Sequence, residues 1–240
     1  MGSKPQQQSL MPNACECCQA RHDGICAVLD SAELERLAQH SRHTSHDAGE
    51  TLAVEGDEID AYASVLTGVV KLSRVLHDGR QQLVGLQFPN DLVGRLFGTT
   101  SPLTVEAASD VALCRFPRSV LETLVGSSAE LKLRLLDRSL RELDEAREWM
   151  ITLGRKDAAE RVATLLLLIA TRNRPSGSET ENTVSFELPI SRGDIADFLG
   201  LTIETVSRQF SRLRHDRIIV VSGRRHVTVA DLQRLRNRAG

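Results

Sequence analysis

The residues with the most distinctive chemistry are the cysteines, four of which lie before Asp30 in a chain of 240 residues. Cys15, Cys18 and Cys26 have the spacing C-x2-C-x7-C, and Cys114 lies in an apolar run that predicts a β-strand. Folding could gather these four thiolates around one [4Fe-4S] cluster. The spacing alone also fits a zinc site or a redox-active thiol pair, and a lone strand cysteine is usually a small buried hydrophobic residue.

The remaining cysteine, Cys17, is close enough to Cys15 in sequence to be an alternative ligand. An odd number of cysteines behind a polar N-terminus argues against a disulfide framework and favours metal or redox chemistry. No stretch approaches the roughly 18 consecutive apolar residues of a membrane span. The first residues also lack the apolar core of a signal peptide. We therefore expect a cytoplasmic protein with no membrane partner.

A second group of candidate residues lies in a basic C-terminal region. Residues 190–240 contain ten Arg and five acidic residues, a formal charge of +5 in a chain whose total is -2. Such clustering indicates a polyanionic partner. Residues 191–202 predict a Ser-capped helix that ends at Gly200, and a second helix follows at once. Two β-prone runs joined by a Gly-Arg-Arg turn come next, so the region predicts a winged helix-turn-helix.

The second helix of this motif carries polar side chains suited to reading base edges in the major groove. Arg208 can donate two hydrogen bonds to guanine, Glu204 can accept one from cytosine, and Ser207 can contact a base or a thymine methyl. An ordinary small α+β domain with a basic face would explain the charge but not the motif. We expect four further residues to contact phosphates, namely Arg192, Thr202, Arg212 and Arg224.

Between these two groups the chain predicts a β-rich domain and then a long helix. Residues 50–116 consist of short apolar runs separated by Gly, Asp, Asn and Pro, which favours a β-sandwich or barrel, and Asp78-Gly79 predicts a tight hairpin. After Pro117, residues spaced by four, three, four and three predict a helical seam. A coiled-coil dimer contact through this seam competes with packing of the helix on its own domain. The dimer seam consists of Leu136, Leu140, Leu143, Arg147 and Met150.

The predicted fold is α+β, with an N-terminal jelly-roll β-barrel sensor domain, a long dimerisation helix and a C-terminal winged helix-turn-helix. The expected parts are a disordered leader (1–13), a cysteine segment (14–30), the sensor domain (31–126), the dimerisation helix (127–156) and the DNA-binding domain (157–240).

An enzyme is the alternative class of protein, because barrels of this kind can host metal catalysis. Residues 50–116 contain one histidine, His77, so a site of two histidines and one carboxylate cannot be assembled there. No nucleophile motif or Gly-rich phosphate loop is found. We therefore predict that the protein is not an enzyme.

The stretch RGDIADFLGLTIETVSRQFSRL, after a jelly-roll-like region and a long helix, closely resembles the cyclic-AMP receptor/FNR superfamily of transcription regulators. The resemblance covers nearly the whole chain. It implies that Glu204, Ser207 and Arg208 are the E-x-x-S-R residues that read TTGAT-like half-sites. We therefore expect a homodimer that binds a palindromic DNA target. We also expect the protein to be an activator whose partner is RNA polymerase.

The cyclic-nucleotide branch of this superfamily carries a Gly-Glu-Leu turn and a downstream arginine for the phosphate. This chain has Gly94-Arg95-Leu96 instead, and residues 97–105 contain no arginine. A cyclic phosphate would lack its charge partner, so we expect no cyclic nucleotide.

The cysteines resemble those of the oxygen-sensing FNR and FnrL branch, in which three N-terminal cysteines and one central cysteine hold an oxygen-labile [4Fe-4S] cluster. The resemblance implies that Cys15, Cys18, Cys26 and Cys114 are the ligands. It also implies that the cluster promotes dimerisation and DNA binding and that oxygen weakens both. Sensing through thiols, zinc, haem or nitric oxide is the alternative, although haem or nitric-oxide sensing would leave the cysteine set unexplained.

Overall fold

A computed structural model of the chain describes Cys15, Cys18, residues 20–173 and residues 182–240. The predicted leader over residues 1–13 and the alternative ligand Cys17 lie outside these residues. Contacts divide the chain into two units. The first unit comprises the described residues up to Val70 together with Leu86–Leu140. The second unit comprises Lys71–Gly85 together with the described residues of Arg141–Gly240.

Eight strands follow one another between residues 42 and 117, a range that contains the stretch predicted to be β-rich. They are β1 (Arg42–His46), β2 (Thr51–Ala53), β3 (Ala61–Thr67), β4 (Val70–Val75), β5 (Gln81–Gln87), β6 (Leu92–Val93), β7 (Thr104–Ala107) and β8 (Val111–Pro117). One four-stranded sheet has the order β1-β8-β3-β6, and the other has the order β2-β7-β4-β5. The predicted β-rich domain is therefore confirmed.

The pair β3 and β8 brings aromatic and apolar side chains to the centre of the first sheet. The strands are antiparallel, with Tyr62 opposite Phe116 and Ser64 opposite Cys114. Tyr62 and Phe116 are almost completely buried. Because side chains alternate between the faces of a strand, Cys114 lies on the same face of β8 as Phe116.

Helical segments lie before and after the sheet in the chain, namely α1 (Ala20–Asp23), a 3-10 turn (Ile25–Val28), α2 (Ser31–His40) and α3 (Arg118–Ser127). Apolar residues of the 3-10 turn, α2 and α3 pack against the side chains of Tyr62 and Phe116. Asp30 and Glu33 form a reciprocal capping box at the start of α2. The helices and the sheet share one buried cluster, which consists of Ile25, Leu37, Tyr62, Leu92, Phe116, Leu121, Leu124, Val125, Leu131 and Leu135.

The long helix predicted over residues 127–156 is present as α4, Ala129–Arg155. Its first turns belong to the first unit, where Leu131 and Leu135 complete the buried cluster. No helix among residues 20–173 and 182–240 is long and apolar enough to cross a bilayer.

The second unit contains the β4–β5 hairpin from Lys71 onward and the C-terminal domain. Gly79 takes a φ of +84° in the hairpin turn, which confirms the predicted Asp78-Gly79 turn. The C-terminal elements are α5 (Ala158–Arg172), β9 (Val184–Glu187), α6 (Arg192–Leu199), α7 (Ile203–His215), β10 (Ile219–Ser222), β11 (His226–Val229) and α8 (Leu232–Ala239). The strands form a sheet of order β10-β11-β9.

Candidate functional site

The first helix of the predicted DNA-binding motif, α6, begins at Arg192 because Ser191 caps it. The Ser191 hydroxyl oxygen accepts a hydrogen bond from the Asp194 backbone N (3.0 Å), and the Asp194 carboxylate accepts one from the Ser191 backbone N (2.8 Å). This reciprocal capping box satisfies two backbone donors that a helix start leaves unpaired. Ile195 and Leu199 are completely buried. The predicted Ser-capped helix is therefore confirmed.

The turn between the two helices depends on Gly200. Its φ of +62° is left-handed, a conformation that glycine adopts without a Cβ penalty. The second helix, α7, follows within three residues, and the Thr202 hydroxyl caps it by accepting from the Thr205 backbone N at 3.2 Å. Val206 and Phe210 are buried, as the sequence predicts. The motif therefore fixes the direction of α7 locally.

The three predicted base-reading residues lie on the exposed surface of α7. Glu204, Ser207 and Arg208 are all exposed, and residues three or four apart share one face of a helix. Arg208 Nη2 donates to the Thr205 hydroxyl (3.1 Å), which holds the guanidinium along the helix. Hydrogen bonds from its own backbone N–H and from Thr202 lower the pKa of Glu204, so its carboxylate is an acceptor at neutral pH. Their base contacts stay predictions.

Arg192, predicted to contact phosphate, is packed within the domain. Its guanidinium carbon lies 3.1 Å from the centroid of the Phe210 ring, a cation–π arrangement. Burial lowers the pKa of Arg192 to about 10, which leaves the side chain charged at neutral pH. Arg192 therefore contributes to packing between α6 and α7, and its phosphate contact stays a prediction.

The other predicted phosphate contacts lie at the surface of the motif. Thr202, Arg212 and Arg224 are exposed. Arg224 lies in the turn between β10 and β11, directly after Gly223, whose φ is +63°. This hairpin is the predicted wing, and it presents Arg224 and its neighbour Arg225 to solvent.

The sequence did not reveal a buried ion pair at the start of α6. Lys71 Nζ on β4 donates to Asp194 Oδ1 (2.9 Å), and only 9% of Lys71 is exposed. Burial alone would raise the pKa of Asp194, but hydrogen bonds from Ser191 and Lys71 lower it overall. A second contact from the hairpin joins Gln82 Nε2 to the Phe198 carbonyl (3.3 Å). The available signal was a lysine within the apolar run VVKLSRVL.

The four candidate cysteine ligands come from two distant parts of the chain. Cys15, Cys18 and Cys26 belong to the cysteine segment, and Cys114 lies on β8 as predicted. All four are half-buried thiols. Cys26 and Cys114 both pack against the buried cluster of the first unit.

The ionised forms of the four cysteines would repel one another. Burial, and after it the negative charges of Cys114, Cys18 and Cys15, together raise the pKa of Cys26 to about 12. Burial also raises the pKa of Cys114 to about 11, against a hydrogen bond to Ser41 that lowers it, and Cys15 and Cys18 contribute to the increase. The fold therefore brings Cys114 into the electrostatic neighbourhood of the cysteine segment.

Proximity of the thiols is not the same as a metal-ligand arrangement. Across Cys15, Cys18, residues 20–173 and residues 182–240, no three metal-ligating side chains form a group that could hold an ion. Coulombic interactions act over longer distances than coordination bonds, so the two observations are compatible. Metal binding would have to draw the thiols closer and displace their protons.

The cavity beside Gly94 has an acidic lining. It encloses about 150 Å³, and its lining includes Asp57, Glu58 and Asp60. The arginine that lines it, Arg115, lies 3.7 Å from an Asp60 carboxylate oxygen. This charge pattern does not favour a cyclic phosphate.

The apolar residues of the predicted dimer seam are exposed on α4. Leu136, Leu140 and Met150 have 56%, 53% and 73% of their surface exposed, and Leu143 is also exposed. Arg147 donates to Asp144 Oδ1 at 3.0 Å on the helix surface. Leu133, which the sequence prediction left out, is 66% exposed and lies three residues before Leu136, so it extends the pattern by one turn.

Two family models match the chain. Residues 43–128 match the cyclic nucleotide-binding domain, and residues 160–238 match the Crp-like helix-turn-helix domain. These matches contain the two-sheet region and the winged helix-turn-helix, respectively.

Similar proteins are found along nearly the whole length. A probable transcriptional activator of Rhizobium leguminosarum bv. viciae is 48% identical over 93% of this chain and 92% of its own. The transcriptional activator protein FnrL of Cereibacter sphaeroides is 44% identical over 94% and 92%, respectively. The solved structure of FixK2 from Bradyrhizobium japonicum is 35% identical, with a TM-score of 0.75, over 83% of this chain and 98% of that one.

Proposed function

Because the chain belongs to the CRP/FNR family of transcription regulators, we propose that it is an oxygen-responsive transcriptional activator that binds DNA as a homodimer. The DNA target is a palindrome of two TTGAT-like half-sites, and RNA polymerase is the protein partner. The regulator acts in the cytoplasm, and no cyclic nucleotide takes part. The name of the FnrL relative, a transcriptional activator, supports the direction of control.

The observation that carries the proposal is the proximity of four thiols from two distant parts of the chain. Cys26 and Cys114 pack against the same buried cluster, and the negative charges of Cys15 and Cys18 raise the pKa of both thiols. A set of four thiols suits a [4Fe-4S] cluster. Such a cluster, held by these four residues, would supply an oxygen-labile connection between the cysteine segment and β8.

The rival function is direct sensing of oxidants by free thiols. The thiolate is the reactive form of cysteine, and reactive cysteines usually have lowered pKa values. Here burial raises the pKa of Cys26 to about 12 and that of Cys114 to about 11, so both thiols are protonated at neutral pH. Protonated thiols react slowly with oxidants, whereas a metal ion can still bind them by displacing their protons.

The chain's own residues supply the remaining steps. An ordered cysteine segment keeps Ile25 in the buried cluster beside Leu131 and Leu135 of α4. A fixed α4 then presents the exposed leucines of the dimer seam to a second copy. A dimer places two copies of α7 at a fixed separation, whereas a monomer reaches only half of a palindrome.

The test measures iron and acid-labile sulfide per chain after anaerobic purification, before and after brief exposure to air. Dimer fraction and binding to a TTGAT palindrome are followed on the same samples. We expect about four irons and four sulfides per chain, lost in air together with dimer and DNA binding. Absent iron with unchanged DNA binding would leave a CRP/FNR regulator but remove the cluster.

Two cysteine variants provide a matched comparison. Cys18→Ser should abolish iron binding, because Cys18 belongs to the ligand set. Cys17→Ser should retain iron, because Cys17 is the extra thiol of the segment. Loss of iron in Cys17→Ser, together with retained iron in Cys15→Ser, would assign Cys17 as a ligand in place of Cys15.

A further inference from the structure

The first turns of α4 have a buried side and an exposed side. Leu131 and Leu135 are 0% and 6% exposed and lie in the same buried cluster as Ile25. Leu133 and Leu136 are 66% and 56% exposed, and Leu136 begins the dimer seam. Because successive residues point in fixed directions around a helix, the contacts of the buried side determine where the seam points.

One contact on this helix reaches the cysteine segment directly. Arg134 lies between the two buried leucines, and its Nη2 donates a hydrogen bond to the carbonyl oxygen of Asp23. Asp23 is the last residue of α1, where carbonyl groups lack a partner within the helix. Arg134 therefore joins α4 to the backbone between Cys18 and Cys26.

A second arginine, one turn later, fastens α4 to a part of the first unit that has no cysteine. Arg138 Nη1 donates to the carbonyl of Asn90 (3.1 Å), and Arg138 Nη2 lies 3.3 Å from Asp91 Oδ1. Both acceptors belong to the connection between β5 and β6. Arg134 therefore joins the first turns of α4 to the cysteine segment, and Arg138 joins them to the connection between β5 and β6.

We propose that Arg134 is a positioning residue that transmits the state of the cysteine segment to the dimer seam. The inference rests on the proposed function, because it requires a cysteine segment whose order changes. When the segment is ordered, the Asp23 carbonyl and Ile25 hold the first turns of α4. When the segment loosens, Arg134 loses its acceptor while Arg138 keeps its own, and α4 is free to turn its seam away from the partner copy.

The experiment measures the dimer dissociation constant of the full chain by sedimentation, for anaerobic iron-loaded protein and for metal-free protein. Arg134→Gln is compared with two variants on the same helix. Arg138→Gln removes the contact with the sheet, and Lys132→Gln removes a donor to the Gly126 carbonyl (2.9 Å), which lies on α3. Arg134→Lys, which keeps the charge, tests rescue.

We expect Arg134→Gln to weaken the iron-loaded dimer about tenfold, with iron content unchanged and a smaller effect on metal-free protein, in which the segment makes the Arg134 contact only part of the time. Arg138→Gln should weaken both forms by the same factor, and Lys132→Gln should change neither. Arg134→Lys should recover part of the loss. An equal effect of Arg134→Gln on both forms, or none on either, would overturn the proposal.

Hydrogen exchange on metal-free protein separates this inference from the proposed function. Arg134→Gln should speed amide exchange over residues 20–29 relative to the parent, because the segment loses a contact that it makes part of the time without metal. Unchanged exchange would overturn the Arg134 contact even if the protein binds iron. Faster exchange in a protein that never binds iron would support the contact while the oxygen-sensing proposal fails.

Discussion

The helix-turn-helix and the cysteine segment satisfy their backbone groups in different ways. In the helix-turn-helix each helix starts with its own side-chain cap, Ser191 for α6 and Thr202 for α7. In the cysteine segment Gly24 precedes the 3-10 turn and offers no side-chain cap. Arg134, 111 residues from Asp23, supplies a donor to the carbonyl at the end of α1. A motif that caps its own helices depends less on distant parts of the chain for these backbone groups. A segment held by distant contacts is released when those contacts are lost, which suits a sensor.

The largest effect that tests this comparison should come from the core of the helix-turn-helix. Ile195 is completely buried, so Ile195→Ala should lower the free energy of unfolding by about 2 to 5 kcal/mol through lost contacts and a cavity. Chemical denaturation followed by circular dichroism measures this change. Ile203→Ala is the matched control, because Ile203 is 51% exposed and a surface change should cost less than about 0.5 kcal/mol. Equal costs would mean that the motif is not a packed unit.

The next effect concerns DNA reading by α7. Arg208→Ala should cost about 1 to 3 kcal/mol in binding to a TTGAT palindrome, because a bidentate contact with guanine is lost. Arg214 is also exposed but lies near the other end of α7, so Arg214→Ala should weaken specific and non-specific DNA alike. Fluorescence anisotropy on palindromic and scrambled duplexes measures both. An equal loss on the two duplexes for Arg208→Ala would rule out base reading by that residue.

A third effect is a pH dependence of the free energy of unfolding that comes from a thiol of the cysteine segment, whereas the helix-turn-helix contains no cysteine. The pKa of Cys26 is about 12 in the folded chain, against an ordinary value of 9.0, so the unfolded chain loses this proton first as pH rises. The contribution of this thiol to the free energy of unfolding of metal-free protein should therefore be constant below pH 9 and fall above it, by about 1.4 kcal/mol per pH unit. Cys26→Ala should flatten the fall, which urea titrations at several pH values measure. An unchanged slope in Cys26→Ala would mean that this thiol is not buried in the folded chain.

The same contrast explains what could be predicted from the sequence. The cap at Ser191, the turn at Gly200 and the buried positions of α7 depend on neighbours within a few residues, so local patterns predict them. The contact between Arg134 and Asp23 and the ion pair between Lys71 and Asp194 join residues 111 and 123 apart. No local pattern encodes such a partner. The four cysteines could be selected as ligands only by resemblance, because their spacing alone fits several metals.

The smallest effect tests whether the helix-turn-helix depends on its own cap. Ser191→Ala removes the acceptor for the Asp194 N–H and should lower the free energy of unfolding by about 1 kcal/mol. Ser211→Ala is the control, because the Ser211 hydroxyl bonds the Ser207 carbonyl within α7 and its loss in a helix interior is close to neutral. Thermal and chemical denaturation of both variants measure the difference. If Ser191→Ala lowers the free energy of unfolding no more than Ser211→Ala does, the ion pair between Lys71 and Asp194, and not the local cap, would hold α6 in place. The helix-turn-helix would then depend on distant residues, as the cysteine segment does.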